Sequence, residues 1–229
     1  TKEQVASELP PKTEQIYYCD MSEDQAAAYE KTKSAYRNDL LSSMDDGTYA
    51  KKQVQLLQGL TALRQLANHP VMIDEEYTSD SGKFENVMHT LDNVLKGGHK
   101  VLIFSQFVKH LSIFKASFEQ QGIPFAYLDG GTKNRGEIVA EFQENDTLKV
   151  FLISIKAGGV GLNLTQADYV FILDPWWNPA VEQQAIDRTH RIGQDKKVFI
   201  YKFISKDTVE EKILALQRRK KSLANSLIT

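Results

Sequence analysis

From Lys100 onward, five short apolar runs recur: Val101–Ser105, Phe125–Leu128, Val150–Ile155, Tyr169–Leu173 and Val198–Ile204. A strand with one wet face alternates apolar and polar residues, whereas a continuous apolar strand is covered on both faces. Between the first two runs, Phe107, Leu111, Phe114 and Phe118 stand at i, i+4, i+7 and i+11, and Gly122 closes the stretch. That is the period of a helix buried along one side. Ile138, Val139 and Phe142 do similar work between the second and third runs. Strands alternating with crossover helices predict a parallel sheet clad on both faces, a doubly wound α/β domain.

Upstream the period is helical. Leu9–Glu14 carries Pro10 and Pro11 and predicts an extended linker, because each proline biases its predecessor away from helix. Ile16–Cys19 fits a short strand. Ser22 and Gln25 form a capping-box pattern for a helix bearing Ala28, Tyr29, Tyr36 and Leu40, which Asp45-Asp46-Gly47 breaks. A second helix is predicted from Ala50 to His69, with Val54, Leu57, Leu60, Leu63, Leu66 and Ala67 at helical spacing and Pro70 as its stop. Thr78–Gly82 predicts a polar hinge, followed by a helix with Val87, Leu91 and Leu95 on one face. Asp207 and Glu210 predict a second capping box, opening a last helix with Val209, Ile213, Leu216, Leu223 and Leu227. The expected layout is a linker and short strand over 1–21, a helical part over 22–80, the α/β domain over 81–206 and a C-terminal helix over 207–229.

Composition narrows the function classes. The formal net charge of -2 excludes a polybasic coat for nucleic acid, but not a local basic groove. Cys19 is the only cysteine, which excludes an intrachain disulfide and a cysteine-cluster zinc site and suits a reducing compartment. No apolar run approaches the ~20 residues of a membrane helix, so no membrane partner is expected. His69, His89, His99, His110 and His190 have no metal-ligand spacing, so no metal is expected in this chain. The start Thr1-Lys2-Glu3-Gln4 lacks an initiator Met and reads as a cut inside a longer protein.

The most informative chemistry lies in Gln184–Gln194. On a continuous helix Gln184, Arg188 and Arg191 stand at i, i+4 and i+7, so an amide and two guanidiniums share a face. Such a face suits several negative oxygens, a triphosphate above all; alternatively it is a solvated basic helix end with Asp187 neutralising Arg191. After the third apolar run, Gly158, Gly159 and Gly161 offer either an anion-binding backbone nest or a plain flexible turn. The dinucleotide fingerprint is not met, since Leu164 stands where its third glycine would be. No Gly-x-x-x-x-Gly-Lys-Ser/Thr loop occurs in the chain. A nucleotidase needs a phosphate cradle and an acidic pair for magnesium, so the arginines imply one wall of a site whose other wall is elsewhere. Trp176 and Trp177, fixed between Pro175 and Pro179, are either core plugs or a stacking surface for nucleic acid. Gln106 and Lys109 follow the first strand, where a helix N-terminus can meet phosphate, or simply form a polar helix start. Arg218-Arg219-Lys220-Lys221 reads as a solvated helix end, with nucleic-acid contact as the other option.

Taken together, these stretches resemble the C-terminal lobe of the SWI/SNF-type family of helicase-like, DNA-dependent ATPases. The resemblance runs in family order through Leu9–Glu14, Leu63–Pro70, Ser81-Gly82-Lys83, Val101–Phe107, Leu128–Thr132, the glycine loop, the tryptophan turn and the arginine motif. Ile155 departs from it where the family commonly has Thr, and Gly131 where Ser is frequent. The resemblance implies a RecA-like lobe with an N-terminal helical protrusion and a C-terminal brace helix, in a parent holding ATP and Mg2+ between two such lobes. It implies that Arg188 and Arg191 are arginine fingers and that Gly161, Asn163 and Gln184 approach the nucleotide. Ser105, Gln106, Ser154, Lys156, Gly158, Gly159 and Trp177 match positions facing the tracked DNA. The implied partners are double-stranded DNA and the N-terminal lobe of the same protein. The implied compartment is the cytoplasm or nucleoid in a bacterium and the nucleus in a eukaryote. By itself the chain is expected to be inactive and to carry no cofactor. The competing expectation is a non-enzymatic lobe that docks DNA or protein without a nucleotide role.

Overall fold

The computed structural model describes residues 10–42, 49–157, 162–191 and 193–226. Its centre is a six-stranded sheet in which every pairing is parallel. In chain order the elements are β1 (Lys12–Cys19), α1 (Glu23–Ser42), α2 (Tyr49–Asn68), a 3₁₀ turn (Pro70–Met72), α3 (Gly82–Lys96), β2 (Val101–Ser105) and α4 (Val108–Gln121). They continue as β3 (Phe125–Leu128), α5 (Arg135–Glu144), β4 (Val150–Ser154), β5 (Tyr169–Ile172), α6 (Pro179–Asp187), β6 (Val198–Ser205) and α7 (Val209–Ser226). The sheet order is β1-β6-β5-β2-β4-β3. The parallel α/β architecture predicted from the apolar runs is therefore the one observed.

Each central strand feeds both faces, because successive side chains point opposite ways. Leu102, Phe104, Phe151, Ile153, Val170 and Ile172 join Phe142 of α5 and Ala185 and Ile186 of α6 in one cluster. Val101, Ile103, Val150, Leu152 and Phe171 join Val87 and Leu91 of α3 and Leu111, Phe114 and Phe118 of α4 in the other. Burying each such side chain stabilises the fold by about 1.5–3 kcal/mol.

Three expectations change. The segment expected to be a linker already belongs to the sheet: β1 starts at Lys12 and pairs along its whole length with β6, from Lys12↔Val198 to Cys19↔Ser205. Its polar, exposed start over Lys12–Gln15 hid this, since an edge strand buries little. Thr78–Gly82 does not end in a hinge. Ser81 and Gly82 are buried; the Ser81 hydroxyl accepts from Phe84 N–H (3.1 Å) and donates to Asn68 O (2.7 Å). Finally, α7 starts with Thr208 as its cap, whose Oγ1 accepts from Glu210 N–H at 3.2 Å. The side chain that reaches back is Glu211, accepting from Asp207 N–H at 2.9 Å. Glu210 turns inward instead, because Lys83 Nζ lies 2.6 Å from its Oε2 with both side chains fully buried.

The same ammonium donates to Asn68 Oδ1 and Leu173 O, both at 2.8 Å. Lys83 thus ties α3 to the end of α2, the end of β5 and the start of α7. The Ser22–Gln25 box is half realised. Gln25 N–H donates to Ser22 Oγ, but the fully buried Gln25 amide reaches Leu66 O (2.9 Å) and Ala67 O, and accepts from Gly82 N–H. It satisfies carbonyls at the C-terminal end of α2 that a helix end leaves open. Tyr29, Leu66 and Ala67 pack α1 on α2. Val209 N–H donating to Tyr29 Oη (2.8 Å) and Ser205 Oγ donating to Ala67 O (2.6 Å) join the pair to β6 and α7, while Val54 and Leu57 on the other half of the α2 stripe stay exposed.

Candidate functional site

The site residues named from the sequence separate into two groups. Gly158, Gly159 and Gly161 lie outside the described residues. A parallel sheet gathers its carboxyl ends on one edge, where loops converge. Ser105 ends β2, Ser154 ends β4, and the two are register partners. Asp174 follows β5, which pairs with β2 on its other side. The Ser105 hydroxyl donates to Asp174 Oδ2, and Gln106 N–H donates to Asp174 Oδ1 at 3.1 Å. Phe107 N–H donates to Ser105 Oγ at 3.1 Å, so this pair shapes the entry into α4.

Ser105 and Ser154 are buried, Gln106 is half-buried, and Lys156 and Trp177 are exposed. The Ser105 hydroxyl is occupied by Asp174 and sets the turn into α4. The tryptophans divide as one plug and one surface. Trp176 packs on the core, and Trp177 is 37% exposed. Arg64 reaches this edge from α2; its Nη2 donates to Pro175 O at 2.7 Å, and its guanidinium lies 5.4 Å from both the Phe107 and Trp177 ring centroids. Cation–π contacts of this kind, desolvated as here, contribute about 1–2 kcal/mol.

Charge at this edge is set by burial. Asp174 is fully buried, which works against its ionisation. The neighbouring His110 ring, the Ser105 hydroxyl and the Arg64 charge outweigh this and hold its carboxyl below the usual range. His110 Nδ1 is 3.8 Å from Asp174 Oδ2, an electrostatic contact rather than a hydrogen bond.

The second group sits elsewhere, and the local structure corrects the helix expected over Gln184–Arg191. α6 ends at Asp187, with Arg188 as its C-cap in αR conformation at φ -68 and ψ -30. Gln184 and Arg188 keep their one-turn spacing, but Arg191 lies past the helix. The reason is competition for the last carbonyls. Arg188 O, which a continuing helix would use four residues on, accepts from Leu164 N–H at 3.1 Å. His190 Nε2 lies 2.7 Å from Pro10 O, and the Gln194 amide donates to Ala167 O (2.9 Å) and Thr189 O (3.1 Å).

Those tethers also locate the arginines. Pro10 and Ala167 lie two residues before β1 and β5, so the turn lies towards the amino edge of the sheet, opposite Ser105 and Trp177. A crossover helix runs back against its strand, and nine residues return the chain about 13 Å. Arg188 is half-buried, while Arg191, Gln184 and Asn163 are exposed. Sequence reasoning missed Arg64, Asp174, Glu182, Lys202 and Gln217, which hold these groups. Of these only Asp174 left a visible trace, as a carboxylate directly after an unbroken apolar strand.

Comparison with known proteins adds to this geometry. A helicase conserved C-terminal domain matches residues 82–193, and an SNF2-related domain matches residues 1–72. The chain is 34% identical to the Sulfolobus solfataricus SWI2/SNF2 ATPase C-terminal domain, covering 95% of this chain and 90% of that one, with a TM-score of 0.74. It is 35% identical to the Sulfolobus solfataricus SWI2/SNF2 ATPase core in complex with dsDNA, covering 96% of this chain and 47% of that one, with a TM-score of 0.77. Against the uncharacterized ATP-dependent helicase MG018 of Mycoplasma genitalium it is 35% identical over 230 residues, 100% of this chain and 22% of the relative. The curated relatives it matches are much longer than the stretch they share with it, which spans from 11% to 25% of their length.

Proposed function

Since this chain belongs to the SWI2/SNF2 family of helicase-like ATPases as its C-terminal helicase lobe, we propose that it is the second motor lobe of an ATP-driven double-stranded DNA translocase. The observation that carries this reading is the arginine turn. Arg191 is exposed and Arg188 half-buried on a segment where Arg188 O accepts from Leu164 N–H, with His190 and Gln194 tied to Pro10 and Ala167. Nothing in the sequence supplies the phosphate cradle that such a pair would complete.

Arg188 and Arg191 act as arginine fingers towards ATP held mainly by an N-terminal lobe, with Gln184 and Asn163 beside them and Gly161 assigned to the same nucleotide by the family resemblance. The donors fit an anion: amides and guanidiniums, all charged positive or neutral. They do not fit Mg2+, and among the described residues no cluster of three His, Cys, Asp or Glu side chains exists to hold a metal. The magnesium therefore belongs with the other lobe. Bound ATP supplies the phosphoryl group whose transfer moves one lobe against the other. At the opposite edge Gln106, Lys156 and Trp177 face the DNA backbone with Ser105 and Ser154 beneath them, and the family resemblance adds Gly158 and Gly159. Contacts to phosphate make affinity salt-dependent and largely independent of sequence.

The test is Arg191→Ala in the two-lobed protein. DNA-stimulated ATP hydrolysis should fall by roughly 10³-fold or more, while circular dichroism and the melting temperature stay as in the parent. Turnover at the parental level would overturn the assignment.

A further inference from the structure

The tryptophan loop and the arginine turn lie at the two ends of one short helix, and a single buried carboxylate fastens that helix to its surroundings. Glu182, in the first turn of α6, is 3% exposed. A carboxylate placed there only to favour the helix dipole would sit in water, and a buried charge is costly unless paired and hydrogen-bonded. Both oxygens are engaged. Oε1 is 3.1 Å from Lys202 Nζ on β6, and Oε2 accepts from Trp176 N–H at 2.8 Å and from the Gln217 amide of α7. Gln217 also donates to Trp176 O. Lys202 is shared with Glu14 of β1 at 2.7 Å. A plain stabilising ion pair would need only Lys202. The bonds to Trp176 and Gln217 put this carboxylate on the path between the loop, the helix and the C-terminal helix.

We propose that Glu182 is a positioning residue that couples the two edges of the lobe. It makes the tryptophan loop, α6 and α7 move as one body, so that a displacement at the DNA-facing loop reaches Arg188 without being lost in the turn at Asn178. This rests on the assignment of Arg188 and Arg191 to the nucleotide side. α6 is stiff enough for the task, since Asn178 caps it through Oδ1 to Ala180 N–H at 3.1 Å and Pro179 occupies its first position.

The experiment compares Glu182→Leu combined with Lys202→Met, and separately Gln217→Met, with the two-lobed parent. Replacing a buried pair by apolar side chains keeps the fold where removing one partner does not, and Gln217→Met leaves the ion pair intact. The readout is the ratio of ATP hydrolysis with DNA to that without. It should fall at least about fivefold in both variants, with melting temperatures close to the parent's. In this chain alone, amide exchange at Trp176 should rise by about tenfold in the double variant relative to the core strands. A parental ratio in folded variants, alongside an inactive Arg191→Ala, overturns this inference and leaves the arginine reading standing. Parental turnover in Arg191→Ala overturns both.

Discussion

His69 uses one ring nitrogen as a helix cap and loses that use when protonated. Its Nδ1 accepts from Val71 N–H at 3.3 Å, capping the 3₁₀ turn, while its ring meets Tyr77 and Phe84 edge-on. Burial, helped by the nearby His110, pushes its pKa from 6.5 down to about 4, against a weak pull from Asp80. The unfolded chain takes up a proton near 6.5 and the folded one only near 4, so between these values the unfolded state binds more protons. Stability is therefore lost as pH falls through that window, by roughly 3 kcal/mol at most. Melting temperatures between pH 7.5 and 4.5 should show this drop, and His69→Asn, which keeps an acceptor but cannot titrate, should flatten it. An undiminished drop in His69→Asn would assign the effect to another group.

Among the elements, the start of α3 is the tightest crossing. A Cβ on Gly82 would lie 1.8 Å from Asp20 O and 3.0 Å from Asp20 C, and backbone cannot yield as a side-chain tip can. Gly82→Ala should accordingly destabilise the lobe by more than about 3 kcal/mol. Gly130→Ala, with nothing within 4 Å of its Cβ, should stay within about 1 kcal/mol. Urea midpoints measure both, and equal costs would remove the steric account. The Ser-Gly pair here is indistinguishable in sequence from a solvent-exposed turn. Only the return of β1 and the end of α2 to this point makes the glycine obligatory.

At the scale of the whole molecule, Lys83 and Glu210 bring together segments 127 residues apart. Removing one partner leaves the other charge buried, so Lys83→Met should cost about 3–5 kcal/mol. Lys83→Met with Glu210→Leu should recover most of that loss, because two apolar side chains then fill the same space. Denaturant unfolding of the single and double variants measures the difference. Additive losses would mean that each side chain acts through neighbours other than its partner.

The sequence by itself determined the elements and the architecture they build. Predominantly apolar runs and helical stripes between them are local patterns, and all five runs it marked became strands within one residue of their expected ends. It also exposed the arginine pair and the tryptophan turn, because their residue types are chemically unusual so close together. Tertiary structure alone decided that Lys12–Cys19 joins the sheet beside β6, that the helix under the arginines stops at Asp187, and that the two groups of site residues lie on opposite edges. It alone paired Glu182 with Gln217 and Lys83 with Glu210. The physical reason is common to all of these. A period of two or 3.6 residues is written in neighbours along the chain, whereas the partner of a buried polar atom depends on which distant segments meet around it.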